Sequence, residues 1–128
     1  MEPLIIPEDE EGTPKVVLDS SKNHLEISGV SLPEDAIGFY KPVFQWIEGY
    51  IKEPNPKTVL NINLSYFNTA SSKAILDMLT LFDQLAVKGH DMHVNWHYPE
   101  MDDELLATGK EFKSMLKTSF NFVSYVQD

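Results

Sequence analysis

The sequence predicts a single α/β domain: a mainly parallel sheet with a leading antiparallel hairpin and helices packed on it. Three observations carry this. Short apolar runs with a two-residue period alternate with longer runs of helical period, in the order β-β-α-β-α-β-α-β. Strands separated by helices need crossover connections, which are right-handed and produce parallel pairs. The chain has 128 residues, 42% of them hydrophobic, which is one domain's worth and enough for one buried core.

Residues 1–14 read as an acidic, partly ordered arm, and residues 15–128 as the domain. Pro3, Pro7 and Pro14 interrupt the arm, Glu8 to Glu11 form an acidic run, and Leu4-Ile5-Ile6 is a short apolar patch able to dock on a partner or on the domain itself. Val16-Val17-Leu18 is a β-branched run, and Asp19 to Asn23 supplies turn chemistry. His24 to Ser28 alternates Leu25 and Ile27 with polar residues, which completes a hairpin.

A helix follows, opened by Ser31 or Pro33, with Glu34 and Asp35 in its first turn. Its apolar residues run from Ile37 through Tyr40, Val43, Phe44 and Trp46 to Tyr50, and Pro42 inside it predicts a bend or break. Thr58 to Phe67 is too apolar for a surface edge and reads as a central strand. Strict alternation places Tyr66 and Phe67 on opposite faces, so at least one should lie buried beneath the next helix. That helix carries Ile75, Leu76, Leu79, Phe82 and Leu85 on one face and closes at Lys88-Gly89. Met92 to Tyr98 is a strand. An acidic loop and a third helix fill 99–117, with Gly109 weakening the helix interior, and Phe120 to Val126 is the last strand.

Composition narrows the function. Twenty acids face ten bases, a formal net charge of −10, and every base is a lysine. Nucleic acid and anionic membrane surfaces are poor partners for such a chain. An arginine finger in cis is impossible. The absence of cysteine excludes disulfides, thiolate nucleophiles and cysteine-ligated metal or iron–sulfur sites. No stretch resembles a signal peptide or a membrane span, so a cytoplasmic protein without membrane insertion is expected.

Three places offer chemistry. His93 and His97 share one face of a strand but stand ~13 Å apart, too far to share one metal. Neither a metal, a cofactor nor a catalytic residue is therefore assigned. A metal-assisted hydrolase using His93, His97 and the acids of 100–104 is the competing enzyme class. Glu100, Asp102, Asp103 and Glu104 fit a helix start capped by Asp102, and they also fit a docking patch for a basic partner. The most informative stretch is Ser65 to Lys73, which joins the end of the central strand to a helix N-terminus. Ligands and sites collect at that edge of an open α/β sheet, and the dipole there favours an anion. Asn68, Thr69 or Ser71 can each cap the helix, but capping needs only one of them. A phosphorylated hydroxyl at that point would leave the fold intact and change the surface offered to a partner. Tyr66, Asn68, Ser71, Ser72 and Lys73 would surround it.

The quoted stretches carry a resemblance. LEISGVSLPEDAIGFYKPVFQWIEGYIKEP (25–54), LSYFNTASSKAILDML (64–79) and HVNWHYPEMDDELLATGKEF (93–112) resemble the SiaC family of bacterial regulatory phosphoproteins, in matching order over nearly the whole domain. The resemblance implies a fold similar to the STAS domain of anti-sigma-factor antagonists and a non-enzymatic role in partner switching. It implies a protein kinase that phosphorylates a threonine at the strand–helix junction, here Thr69, and a PP2C-type phosphatase that removes the phosphate. It further implies that the unmodified form binds and activates a diguanylate cyclase, in cyclic di-GMP signalling and biofilm formation. Ala70 stands where a serine is common, which removes one alternative acceptor. A STAS-type antagonist that frees a sigma factor is the other signalling role, with the same Thr69 chemistry and a different partner.

Overall fold

The computed structural model describes residues 1–127. Its elements are β1 (Leu4–Ile6), β2 (Lys15–Asp19), β3 (His24–Ser31), α1 (Ala36–Tyr50), β4 (Lys57–Phe67), α2 (Thr69–Val87), β5 (Asp91–Pro99), α3 (Asp103–Ser114) and β6 (Ser119–Tyr125). The strands lie side by side in sequence order. β1–β2 and β2–β3 are antiparallel; β3–β4, β4–β5 and β5–β6 are parallel. The expected α/β domain with its leading hairpin is present, and the 58–67 strand is internal.

Sequence-order strands make every crossover advance in the same direction. With one hand allowed, all three helices then fall on one side of the sheet. The register shows that side. Leu18, Leu25, Leu60, Val94 and Phe120 form one cross-strand row, and Val16, Ile27, Ile62 and Trp96 form the next. All nine are buried. The opposite face holds a different row, Glu26, Asn61, Asn95 and Asn121, in register across four strands. Asn121 Nδ2 donates to Asn95 Oδ1 (3.2 Å) and Asn95 Nδ2 to Asn61 Oδ1 (3.0 Å), so amides satisfy one another where the sheet meets solvent.

The N-terminal arm goes further than its composition implies. Leu4–Ile6 pairs with β2, and the Trp46 indole N–H donates to the Glu2 carbonyl at 2.9 Å. Gly29, at φ +101°, leaves room for the Glu8 carboxylate; a Cβ there would come within 2.7 Å of it. The β2–β3 turn is held by Asp19 Oδ1, which accepts from the Ser21 hydroxyl (2.7 Å) and the backbone N–H of Ser21 (3.1 Å) and Lys22 (3.3 Å). These bonds, the Ser21 hydroxyl first, hold the Asp19 carboxyl below its ordinary range.

Two helix expectations need correction. Asp35, not Ser31 or Pro33, caps α1, its carboxylate accepting from Gly38 N at 3.0 Å, while Ser31 ends β3. The helix also continues through Pro42. Tyr40 and Val43 flank the proline and are fully buried, as are Ile47 and Tyr50 beyond it, so packing on both sides offsets the missing hydrogen bond. α2 ends as its sequence predicts: Gly89 takes φ +85°, His90 N donates to Leu85 O and Gly89 N to Ala86 O, the paired bonds of a glycine-terminated helix. In α3, Gly109 serves a purpose beyond weakening the helix. A Cβ there would lie 2.6 Å from the Trp96 indole nitrogen, which donates to Leu105 O at 3.1 Å.

Candidate functional site

The site lies where β4 ends and α2 begins. Asn68 is the cap: its side-chain oxygen accepts from Ser71 N (2.9 Å), and its own N–H donates to Ser31 O (3.2 Å). One residue thus does the capping that three were able to do, and the other two are released for different work.

Ser71 turns inward. Its hydroxyl donates to Ser31 O at 2.9 Å and accepts from Ser31 Oγ at 2.8 Å, and Ser31 Oγ meets the Tyr40 hydroxyl at 2.6 Å. All three residues are fully buried. Burial pushes the Tyr40 phenol above its ordinary range, with the two serine hydroxyls opposing the shift. This hydroxyl cluster pins the first turn of α2 to β3 and α1. Ser71 is therefore part of the interior and not of a switch surface.

Thr69 faces the other way. It is the first residue of α2, exposed, and its hydroxyl has no side-chain hydrogen bond among the described residues. Ser72 is half-buried. Lys73, one turn beyond Thr69, is exposed and directed along the helix to Asp77, its ammonium 3.4 Å from Oδ2. A pair so open to water holds weakly.

Beside Thr69, α1 and α2 enclose a groove of about 530 Å³. Ile37, Phe44, Ala70 and Ala74 make its apolar floor, with Lys41, Lys73, Glu48 and Asp77 at its rim. Ile37, the first of the large apolar residues of α1, is 84% exposed. Ile37 and Phe44 are seven residues apart and so share a flank, off the stripe formed by Tyr40, Val43 and Ile47. That offset was visible in the spacing and is the signal the groove leaves in the sequence.

Tyr66 and Phe67 differ in burial, but strict alternation does not carry through: Phe67 and not Tyr66 packs against the core, beside Trp96 and not beneath α2. The β3–β4 register shifts between Gly29 and Val30, so Val30 meets Tyr66 and Ser31 meets Phe67. Tyr66 is 58% exposed. Phe67 is half-buried against the edge of the Trp96 ring, toward α3. Both share a shallow depression with Asp102 and Glu104, which places part of the acidic segment at the same sheet edge as the junction. Within that segment Asp102 caps α3, accepting from Leu105 N at 2.9 Å, and Asp103 and Glu104 occupy its first turn. Glu100, Asp103 and Glu104 are exposed, and Met101 between them is 87% exposed.

The histidines do not join the acids. His93 pairs with Asp91 near the start of β5, and the acidic segment follows the strand's far end, ~20 Å away. Among the described residues no group of three histidines and carboxylates is placed to hold a metal. No helix among them is long and apolar enough to cross a membrane.

Comparison with known proteins gives consistent results. The model of a family described as SiaC family regulatory phosphoprotein matches residues 7–125. An uncharacterized protein of Pseudomonas aeruginosa (strain UCBPP-PA14) is 28% identical over 118 residues, 92% of each chain. The crystal structure of apo-SiaC from Pseudomonas aeruginosa superposes with a TM-score of 0.88 at 27% identity, covering 97% of this chain and 100% of the other. The SiaC chain crystallised with the diguanylate cyclase SiaD, as its activator, superposes with a TM-score of 0.88 at 26% identity, over 95% and 99% of the two chains.

Proposed function

The chain belongs to the SiaC family of regulatory phosphoproteins, and from that premise we propose that it is an adaptor that binds and activates a diguanylate cyclase, with Thr69 as its phosphorylation switch. A kinase adds the phosphate, a PP2C-type phosphatase removes it, and the protein itself performs no catalysis. The observation that carries the assignment is the division of roles at the junction: Asn68 caps, Ser71 is buried, Ser72 is half-buried, and of the three hydroxyl residues at the helix start Thr69 is the exposed one.

The mechanism follows from what surrounds that hydroxyl. In the unmodified protein the partner covers the apolar groove between α1 and α2 together with a neutral threonine at its end. Phosphorylation places about two negative charges there. The helix dipole favours an anion at this position by ~0.3–1 kcal/mol, so the fold accepts it. The chain has no arginine to clamp the phosphate, and Lys73 is an exposed point charge already shared with Asp77. The effect therefore falls on the interface, where burying an unpaired dianion costs several kcal/mol. Each ~1.4 kcal/mol is a factor of ten, so affinity for the cyclase falls about a thousandfold. Glu100, Asp103 and Glu104, exposed at the same edge, supply a docking patch for basic residues of the kinase or the cyclase.

The test is the affinity for the cognate cyclase of the unmodified, Thr69-phosphorylated and Thr69→Ala proteins, with phosphosite mapping of the chain isolated from its host. Tight, lost and tight binding, in that order, is the expected pattern. Equal affinities, or phosphate found on Ser72, would remove Thr69 from the role.

A further inference from the structure

A second site lies at the opposite end of β4 from Thr69. Here Lys57 opens β4, Ser119 opens β6, and the α3–β6 connection folds over the sheet edge to enclose a groove of about 690 Å³. That volume suits a small molecule. Acids outnumber lysines two to one in the chain, yet the groove is lined by Lys57, Lys113 and Lys117 and by no acid. None of these lysines makes an ion pair among the described residues. The acid nearest in register to Lys57 is Asp91, and it is engaged with His93. Three lysines without an acidic partner line one concavity, and their summed positive potential favours an anion there.

The walls are fixed rather than loose. Asp83, buried within α2, holds the α3–β6 connection from below: one carboxylate oxygen accepts from Lys117 N (3.0 Å), Thr118 N (2.9 Å) and the Thr118 hydroxyl (2.5 Å). The Lys113 ammonium lies 5.9 Å from the Phe122 ring centroid. The sheet wall presents Asn95 and Asn121, whose amides are locked by the cross-strand ladder. Each primary amide has two N–H groups, and the ladder uses one from each, so the second remains as a donor with no acceptor in the ladder.

We propose that this groove binds a small oligophosphate anion, either a nucleoside diphosphate or free pyrophosphate. The three lysines meet the charge as point cations, while the Asn95 and Asn121 amides and the Ser119 hydroxyl meet the oxygens. Lysine serves phosphate without arginine's planar fork, which fits a chain that has no arginine. The site is about 30 Å along β4 from Thr69 and is independent of the switch assignment.

The experiment is an amide-resolved NMR titration of the full chain with pyrophosphate, adenosine diphosphate and adenosine, with sulfate at matched ionic strength as control. Pyrophosphate and the diphosphate should give saturable shifts at the backbone amides of 117–121 and the side-chain amides of Asn95 and Asn121. Adenosine and sulfate should give none. The Lys57→Gln/Lys113→Gln/Lys117→Gln variant, altered only at exposed side chains, should bind at least about tenfold more weakly. Lys22→Gln/Lys52→Gln/Lys88→Gln, with the same loss of charge outside the groove, should bind like the parent. The proposal is overturned if millimolar pyrophosphate gives no saturable shift, if sulfate or adenosine matches it, or if both triple variants bind alike. Tighter binding of an acidic peptide than of pyrophosphate would also overturn it, by assigning the groove to an acidic protein partner.

Discussion

Replacing Gly109 by alanine should destabilise the protein, although helix propensity alone says the opposite. Alanine is the better helix former by about 1 kcal/mol at an interior position. The added Cβ, however, would sit 2.6 Å from the Trp96 indole nitrogen and 2.8 Å from two ring carbons. Trp96 cannot yield cheaply: it is 1% exposed, with Phe67 and Phe112 edge-on to its ring and its N–H bound to Leu105 O. Overpacking such a contact costs about 1–3 kcal/mol, and losing the indole hydrogen bond adds roughly 0.5–1.5 kcal/mol. Setting the propensity gain against these leaves a net loss of about 2 kcal/mol at mid-range, a fall in Tm on the order of 8 °C for a domain of this size. Urea and thermal unfolding of Gly109→Ala read it directly. In a Trp96→Leu background the clash is gone, and the same substitution should be neutral or stabilising. A Gly109→Ala protein that melts above the parent would show that the α3–Trp96 contact does not set this position.

Ser71→Ala should cost about 1–3 kcal/mol in urea denaturation, because it strips a partner from the buried Ser31, whereas Thr69→Ala and Thr69→Asp should stay within about 0.5 kcal/mol of the parent. Phe67→Ala should cost clearly more than Tyr66→Ala, since Phe67 packs on Trp96 and Tyr66 is mostly exposed; equal losses would mean that the register shift at Gly29 is wrong. The Asp19 carboxyl titrates lower in the folded chain than its ordinary value of 3.8, so its contribution is present above that pH and lost as pH falls through the folded value. Asp19→Asn should therefore flatten the stability curve below about pH 4, measured against the parent by urea unfolding. The Tyr40 phenol titrates above its ordinary 10.0, so ultraviolet difference titration should find it still protonated when exposed tyrosines have ionised, and stability should fall as pH rises beyond 10.0.

Much of the fold was legible because local and global signals agree. Apolar content placed β4 inside the sheet, and the Lys88-Gly89 pair marked the end of α2. The misses share one cause: contacts between residues distant in sequence. Three residues flanked by prolines carry no strand signal of their own, and β1 exists because β2 offers a free edge and Trp46 reaches Glu2 O. Pro42 breaks an isolated helix, yet α1 runs on because Tyr40, Val43, Ile47 and Tyr50 are anchored on both sides of it. Gly109 looks like a flaw until Trp96, thirteen residues earlier, is brought against it.

The site was legible as a place but not as an assignment of roles. Four polar residues, Asn68, Thr69, Ser71 and Ser72, offered more capping capacity than one helix start can use, and that surplus was the readable signal. What spacing alone did not resolve was which of them the interior would claim. The answer depends on Ser31 and Tyr40, which arrive from β3 and α1 and capture Ser71 in a closed set of hydroxyl bonds. With Ser71 serving the core and Asn68 the helix, neither function leans on Thr69. A residue that neither caps nor packs can carry two charge states with little effect on the folding equilibrium, and most of the free energy its modification releases must then be expressed at whatever surface meets it. The Ile37–Phe44 flank beside it is such a surface: apolar, with Ile37 exposed and Phe44 half-buried, and carried on the packed pair α1 and α2. The junction thus separates the residues that hold the helix from the residue we propose is modified, which is the physical condition for a switch that changes partners without changing shape.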